Sequence, residues 1–260
     1  MNTSFDRIIN SRNPPDIPSN RGIIVCTDCN LAGEIDVRNM DTLQTIVFDL
    51  DHTLTPWDSS ERFCRWLLRR DPWRLILVIA SVPFLLPLLL VKSTRRQPLR
   101  FAVWAATLGR SVEAINELAK KHVDEIVARR QPLVLHDAKR RLHHHLEQGH
   151  RVVVATGSLE VLAREFLDRS GLAHIPLVGS SLKPLLWGMV DHEHCYGPRK
   201  IPMLTQRGYP PPWAATYTDH ECDLPVICRS AECILVNPRP KAIRIITKRL
   251  SYTPEVLVWR

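Results

Sequence analysis

Three observations predict an α/β fold built on a mostly parallel sheet, with a helical insertion near its start. Short apolar runs recur at 44–50, 152–156, 214–218 and 233–236, each too short for a core helix. Stretches of helical length separate them, and strands alternating with helices give a parallel sheet. Three of the runs end in polar clusters: Asp49-Leu-Asp51-His-Thr53, Thr156-Gly157-Ser158, and Asp219-His-Glu-Cys-Asp223. In an open parallel sheet, ligands sit beyond the carboxyl ends of the strands, so these clusters can meet at one site.

The elements follow in order. Residues 1–42 are polar and lack a helical period, and they read as an N-terminal extension. Cys26 and Cys29 have the spacing of half a zinc site, but no second pair follows, so they read as plain thiols. No secretory apolar run occurs in the first 30 residues, so export by a cleaved signal is not expected. The first strand is 44–50. Helices are expected over 60–73, 111–130 and 132–148, and a strand over 152–156. A helix near 159–169, a hairpin-like stretch at 176–195, a helix near 198–207 and strands at 214–218 and 233–236 complete the chain. His143, His144 and His145 read as a solvated helix face. His192, His194 and Cys195 read as hairpin surface. The sheet-forming body is assigned to 43–56 and 131–250, the helical stretch between its parts to 57–130, and a tail to 251–260.

Hydrophobic residues make up 45% and charged residues 24%, which excludes a disordered, collagen-like or coiled-coil chain. Lys and Arg number 35 against 27 Asp and Glu, a net +8 that favours anionic partners. Nucleic acid is the least favoured of these, because the basic residues flank greasy sequence and not aromatic stacking positions. Seven cysteines without framework spacing read as reduced thiols in a cytosolic setting.

The polar clusters carry a resemblance. Phe48-Asp49-Leu50-Asp51-His52-Thr53-Leu54 resembles the first motif of the haloacid dehalogenase-type phosphatases. Thr156-Gly157-Ser158 resembles the second, Lys200 the third, and Thr218-Asp219 with Asp223-Leu224-Pro225 the fourth. The Tyr-Thr-Asp-x-x-x-Asp-Leu-Pro form and Val236-Asn237-Pro238 are similar to the phosphoserine-phosphatase-like branch. His52 departs from the pattern, since much of the superfamily has Gly there. The resemblance implies a Rossmann-like core with an inserted cap. It also implies a Mg²⁺-dependent phosphatase working through an aspartyl-phosphate. Asp49 would be the nucleophile and Asp51 the general acid and base. Thr156 would donate to the phosphoryl oxygens and Lys200 would neutralise charge. Thr53, Gly157, Ser158, Arg69 and Arg70 would bind substrate. Asp49, Asp51 through its backbone carbonyl, Asp219 and Asp223 would form the metal site, with Asp223 orienting a bound water or Lys200. These residue types suit phosphoryl transfer, where positioning and charge neutralisation do most of the catalysis.

Residues 75–91 carry no charge, and nine basic residues flank them. That is the lower edge of what spans a bilayer. A single crossing would place Asp49 and Thr156 on opposite sides. A second crossing through Phe101–Leu108 is too short, at about 12 Å. Pro83 and Pro87 interrupt the run. A re-entrant or interfacial hairpin is therefore expected, gripping an anionic membrane surface on the cytoplasmic face of the inner membrane. A soluble cap with a greasy core, or a dimer interface, is the alternative. The placement of this run, and Cys195–Lys200, resemble phosphatidylglycerophosphatases of the same branch, which implies a phosphorylated glycerolipid substrate. A soluble phosphatase of small phosphomonoesters is a second reading, and a membrane-docked interaction protein with a vestigial site a third.

Overall fold

The computed structural model describes residues 44–90, 94 and 96–260. The extension 1–42 with its two cysteines lies outside the described residues, as do Lys92 and Arg95. Six parallel strands form the main sheet: β1 (Thr45–Phe48), β2 (Arg151–Leu159), β3 (Leu177–Ser180), β6 (Trp213–Thr218), β7 (Ser230–Val236) and β8 (Glu255–Leu257). Their order is β3-β2-β1-β6-β7-β8. The chain runs outward from β1 through β2 to β3, then returns and runs outward the other way. The switch point therefore lies at the carboxyl end of β1, between β2 and β6, where open sheets open a crevice.

The strands are apolar on both faces because helices cover both. Ile46 and Phe48 of β1 pack into one core layer with Leu142 and Leu167. Val47 packs into the opposite one with Leu204 and Trp213. The covering helices are α5 (His136–Glu147), α6 (Glu160–Arg169), α7 (Lys200–Gln206), the short α8 (Leu224–Ile227) and α9 (Pro240–Arg249).

Four helices lie between β1 and β2: α1 (Ser59–Arg70), α2 (Pro72–Leu85), α3 (Gln97–Thr107) and α4 (Val112–Ala128). Asp58 caps α1 by accepting from Glu61 N at 2.7 Å, and Ser111 caps α4 by accepting from Ala114 N at 3.2 Å. Their core joins Phe63, Leu67, Ile115 and Val123 to Phe166 of α6. Burial along α2 is inverted. Its buried residue is the charged Arg74, while Ile76, Ile79 and Phe84 are exposed. Pro83 sits inside α2, and a 3₁₀ turn over Leu86–Leu89 follows. Among the described residues no single helix is long and apolar enough to cross a membrane, and α1 and α2 meet at a bend of 113°.

Five expectations need correction, the last being that every cysteine is a reduced thiol. The stretch 176–195 is not one hairpin: β3 joins the main sheet, and only β4 (Leu182–Leu185) and β5 (Gly188–Asp191) pair antiparallel. The last strand is β8, inside the segment read as a tail, and it was missed because three residues carry too little pattern. Here Asn237 N donates to Leu257 O at 2.9 Å, and Trp259 N donates to Asn237 Oδ1 at 3.0 Å. His145 is buried, with Nε2 2.8 Å from Tyr217 Oη, because one side of α5 packs on the sheet. Cys195 is likewise buried, not surface. Cys64, Cys195, Cys222 and Cys233 are free thiols, whereas Cys228 is disulfide-bonded.

Candidate active site

The chain leaves β1 at Asp49, whose N donates to Tyr217 O at 2.9 Å, and curls at once. Leu50 O accepts from Leu54 N (2.8 Å) and Thr55 N (2.9 Å), so residues 50–55 wrap around one carbonyl. His52 takes φ +57° in this curl, the left-handed region that glycine enters most easily. That accounts for glycine being common there in the motif, and His52 fits at some conformational cost. The curl turns Asp49 and Asp51 into one cavity of about 820 Å³, also lined by Gly157, Ser158, Lys200 and Asp219.

Lys200 is the electrostatic hub. Its Nζ donates to Asp49 Oδ1 at 2.7 Å and to Asp223 Oδ2 at 2.9 Å, and it is buried. Burial alone works against the cation. Asp223 and Asp49 outweigh burial and hold the Lys200 pKa well above its usual value. Burial also pushes the Asp49 carboxyl up. Lys200 opposes that push, while Asp223, Asp51 and Asp219 add to it. Thr218 Oγ1 donates to Asp223 Oδ2 at 2.8 Å, which fixes the residue that fixes Lys200.

Asp51 sits in a cage of hydroxyls. Oδ1 accepts from Ser59 N (2.9 Å) and Ser59 Oγ (2.6 Å), Oδ2 accepts from Ser158 Oγ (2.5 Å), and the two hydroxyls are 2.7 Å apart. Burial and then the Asp58 charge raise the Asp51 pKa, against the lowering pull of the serines.

Residues 156–158 lie where the register of β2 against β3 shifts, a bulge that re-aims side chains. Ser158 N donates to Thr156 Oγ1 at 3.0 Å, leaving the Thr156 hydroxyl proton for another acceptor. Ser180 Oγ donates to Gly157 O at 2.7 Å and pins the bulge to β3. Ser59 and Ser180 were not singled out in the sequence. Each is one serine in an unremarkable context, and only the fold brings it to a motif.

Four expected substrate contacts do not line the cavity, the first being Thr156, which is fully buried. Thr53 is fully buried with Oγ1 unpartnered, because the curl turns it inward. Arg70 pairs with Glu125 at 3.0 Å with its guanidinium 4.6 Å over Trp66, and Arg69 is exposed. The period of α1 turns Phe63 and Leu67 inward and leaves these two arginines outside. The arginines that do line the cavity are Arg65, Arg96, Arg100 and Arg239.

Among the described residues no three His, Cys, Asp or Glu side chains gather closely enough to hold a metal by themselves. The donor chemistry nonetheless fits Mg²⁺, which binds through one or two carboxylates and keeps several waters. Asp49 and Asp219 present hard oxygens in one cavity. Burial pushes Asp219 up to about 6, with His52 and His220 pulling it back, so its negative charge lacks full compensation. Asp223 accepts from Lys200, Thr218 and the Cys222 thiol, so in this arrangement it holds Lys200.

Two carboxylates and a buried lysine thus gather at the switch point of a parallel sheet, a site suited to a hydrolase. Residues 46–227 match the haloacid dehalogenase-like hydrolases, and the chain belongs to that family. Solved structures share the fold. A protein with unknown function from Bordetella pertussis Tohama I matches at TM-score 0.62 and 17% identity, covering 82% of this chain and 97% of that one. A phosphoserine phosphohydrolase-like protein from Francisella tularensis matches at 0.54 and 15%, covering 82% and 94%. A substrate-bound phosphoserine phosphatase matches at 0.52 and 13%, covering 82% and 92%.

Proposed function

We propose that this protein is a Mg²⁺-dependent phosphatase of phosphorylated glycerolipids, phosphatidylglycerophosphate foremost, working at an anionic membrane surface on its cytoplasmic side. One observation carries the reading. The cavity that holds the carboxylates continues between the cap helices, where Phe63, Leu67, Leu68, Leu99, Val103 and Ile115 line it. A small polar metabolite gains nothing from that wall, whereas a phosphate ester with apolar chains buries them there at roughly 25 cal/mol per Å². The exposed apolar face of α2 and the flanking arginines offer the matching outer contact.

In the reaction an Asp49 carboxylate oxygen attacks phosphorus and the bond to the leaving oxygen breaks. Asp51 gives its proton to that oxygen. Water then attacks the phosphorus of the aspartyl-phosphate, Asp51 takes its proton back, and the bond to Asp49 breaks to release inorganic phosphate. Lys200 and the Thr156 hydroxyl stabilise charge on the phosphoryl oxygens, with backbone N–H groups at Leu50 and Gly157 in support. Mg²⁺, held by Asp49, Asp219 and the backbone carbonyl of Asp51, would supply positive charge against the phosphate oxygens.

A soluble phosphomonoester such as phosphoserine is the second reading, favoured by the phosphoserine phosphatases among the fold's neighbours. Initial rates with Mg²⁺ on phosphatidylglycerophosphate, phosphatidic acid and phosphoserine separate the two. Faster release from the lipids is expected. Phosphoserine outpacing both lipids would overturn the lipid assignment and leave the chemistry in place.

A further inference from the structure

The tip of the β4–β5 hairpin carries Leu185, Leu186 and Trp187 into solvent, and Trp187 is 87% exposed. Leu186 and Trp187 have φ +45° and +61°. Two successive left-handed residues at a hairpin tip make the kind of turn that Asn-Gly forms readily and that Leu-Trp forms only at a cost. The fold imposes it. Trp104 Nε1 donates to Leu185 O at 3.0 Å, and Gly109 N donates to Trp187 O. A Cβ on Gly188 would meet Trp104 Cδ1 at 2.6 Å, so no other residue brings the strand this close to α3. The tip is thus held rigidly against α3 while its two large apolar side chains point away from any core.

The end of α3 also meets α2. Arg74 Nη2 donates to Leu108 O at 2.6 Å, next to Gly109, and Trp73 beside it is half exposed. The hairpin tip and the apolar face of α2 are therefore neighbours around one turn of chain. Basic residues outnumber acidic ones around them, although Asp71 pairs with Arg74 and Arg110 and Asp191 ends β5. Between Asp71 and Glu113 the sequence has six basic residues and no acidic one, and β4 adds the exposed Lys183. Arginine is the buried group of α2, and isoleucine and phenylalanine are the exposed ones. An apolar surface edged by more cations than anions, with tryptophans on it, matches the interface of an anionic bilayer.

We propose that the hairpin tip Leu185–Leu186–Trp187 is a second membrane anchor, inserting beside α2 so that the protein grips anionic lipid at two points. This rests on the reading of a phosphatase that works at a lipid surface. It adds an anchor far along the chain from the apolar run, outside the helical insertion. Two anchors fix the tilt of the molecule on the bilayer, which one helix does not.

The test uses the full chain with vesicles of phosphatidylglycerol and phosphatidylcholine, and with phosphatidylcholine alone. The variant Leu186→Asn with Trp187→Gly installs the preferred turn, so its melting temperature should equal or exceed that of the wild type. Its rate on p-nitrophenyl phosphate without vesicles should be unchanged. Its affinity for the anionic vesicles should fall about tenfold or more. A parallel variant, Ile76→Gln with Ile79→Gln, weakens the α2 contact. If the α2 variant loses binding and the hairpin variant keeps it, the second anchor is overturned and docking through α2 stands. If the wild type binds neither vesicle, the membrane reading itself falls, and the anchor with it. A wild type that dimerises, with the hairpin variant monomeric, would assign the tip to protein contact and also overturn the proposal.

Discussion

Lys200→Met removes the cation that holds Asp49 and Asp223 together. The ammonium makes contacts of 2.7 and 2.9 Å to two carboxylates and is itself buried. Breaking a buried ion pair from one side costs about 3–5 kcal/mol, because the remaining charge stays buried without its partner. Methionine fills most of the lysine stem, so packing contributes little to this loss. For a domain of this size each kcal/mol moves the melting temperature by roughly 2–4 °C, so a drop on the order of 10 °C is expected. Turnover should fall about 10²–10³-fold, the scale seen when one preorganised stabiliser of developing charge is deleted. Mg²⁺ should raise the variant's melting temperature more than that of the wild type, since the ion supplies positive charge where the ammonium was. Differential scanning calorimetry with and without Mg²⁺, beside phosphate release, reads all three. A variant that melts with the wild type would show that the ammonium is not the electrostatic hub.

Ser158→Ala should lower turnover about tenfold on an alkyl phosphate and less on p-nitrophenyl phosphate, whose leaving group needs little protonation; equal losses on both would remove Ser158 from the positioning of Asp51. His145 is pushed down to about 3 by burial, with His150, Arg141 and His144 adding to the effect. Its folded pKa lies below the unfolded value near 6.5, so the unfolded chain takes up the extra proton and stability falls on acidification. From pH 7 to pH 4 this group removes about 3 kcal/mol, at 1.4 kcal/mol per unit; urea midpoints for the wild type and His145→Gln should converge toward pH 4, and parallel curves would contradict the assignment. Gly179→Ala should destabilise the protein by about 1–3 kcal/mol, because the new methyl would lie 2.7 Å from the backbone Cα of Glu160; an unchanged melting temperature would mean that β3 and α6 have room to separate.

Much of the site was legible because its chemistry is local in sequence. Asp49, Asp51 and Asp219 each end or follow an apolar run, and a switch-point sheet carries such ends to one crevice, where Lys200 joins them from the start of α7. Residues that act through a neighbour were not legible. Ser59 reaches Asp51 only because α1 starts beside the curl, and Ser180 reaches Gly157 across two strands. Arg69 and Arg70 were misplaced for a related reason. Sequence shows that arginines are plentiful near the cap, but the helical phase decides which of them face inward. The three-residue β8 and the buried His145 were hidden because a short run and a histidine triplet carry no period strong enough to fix a face. The hairpin tip had no signal at all, since Leu-Leu-Trp-Gly reads as ordinary strand until its φ angles place the side chains outside.

The most direct measurement traps the phosphoryl group. Full-length protein with Mg²⁺ and a phosphate-labelled substrate, quenched in acid during turnover, should carry label on the peptide containing Asp49, removable by hydroxylamine as an acyl phosphate is. Asp49→Asn should carry none and release no phosphate. Label on another residue, or full turnover by Asp49→Asn, would contradict the assignment of Asp49 as the atom donor to phosphorus.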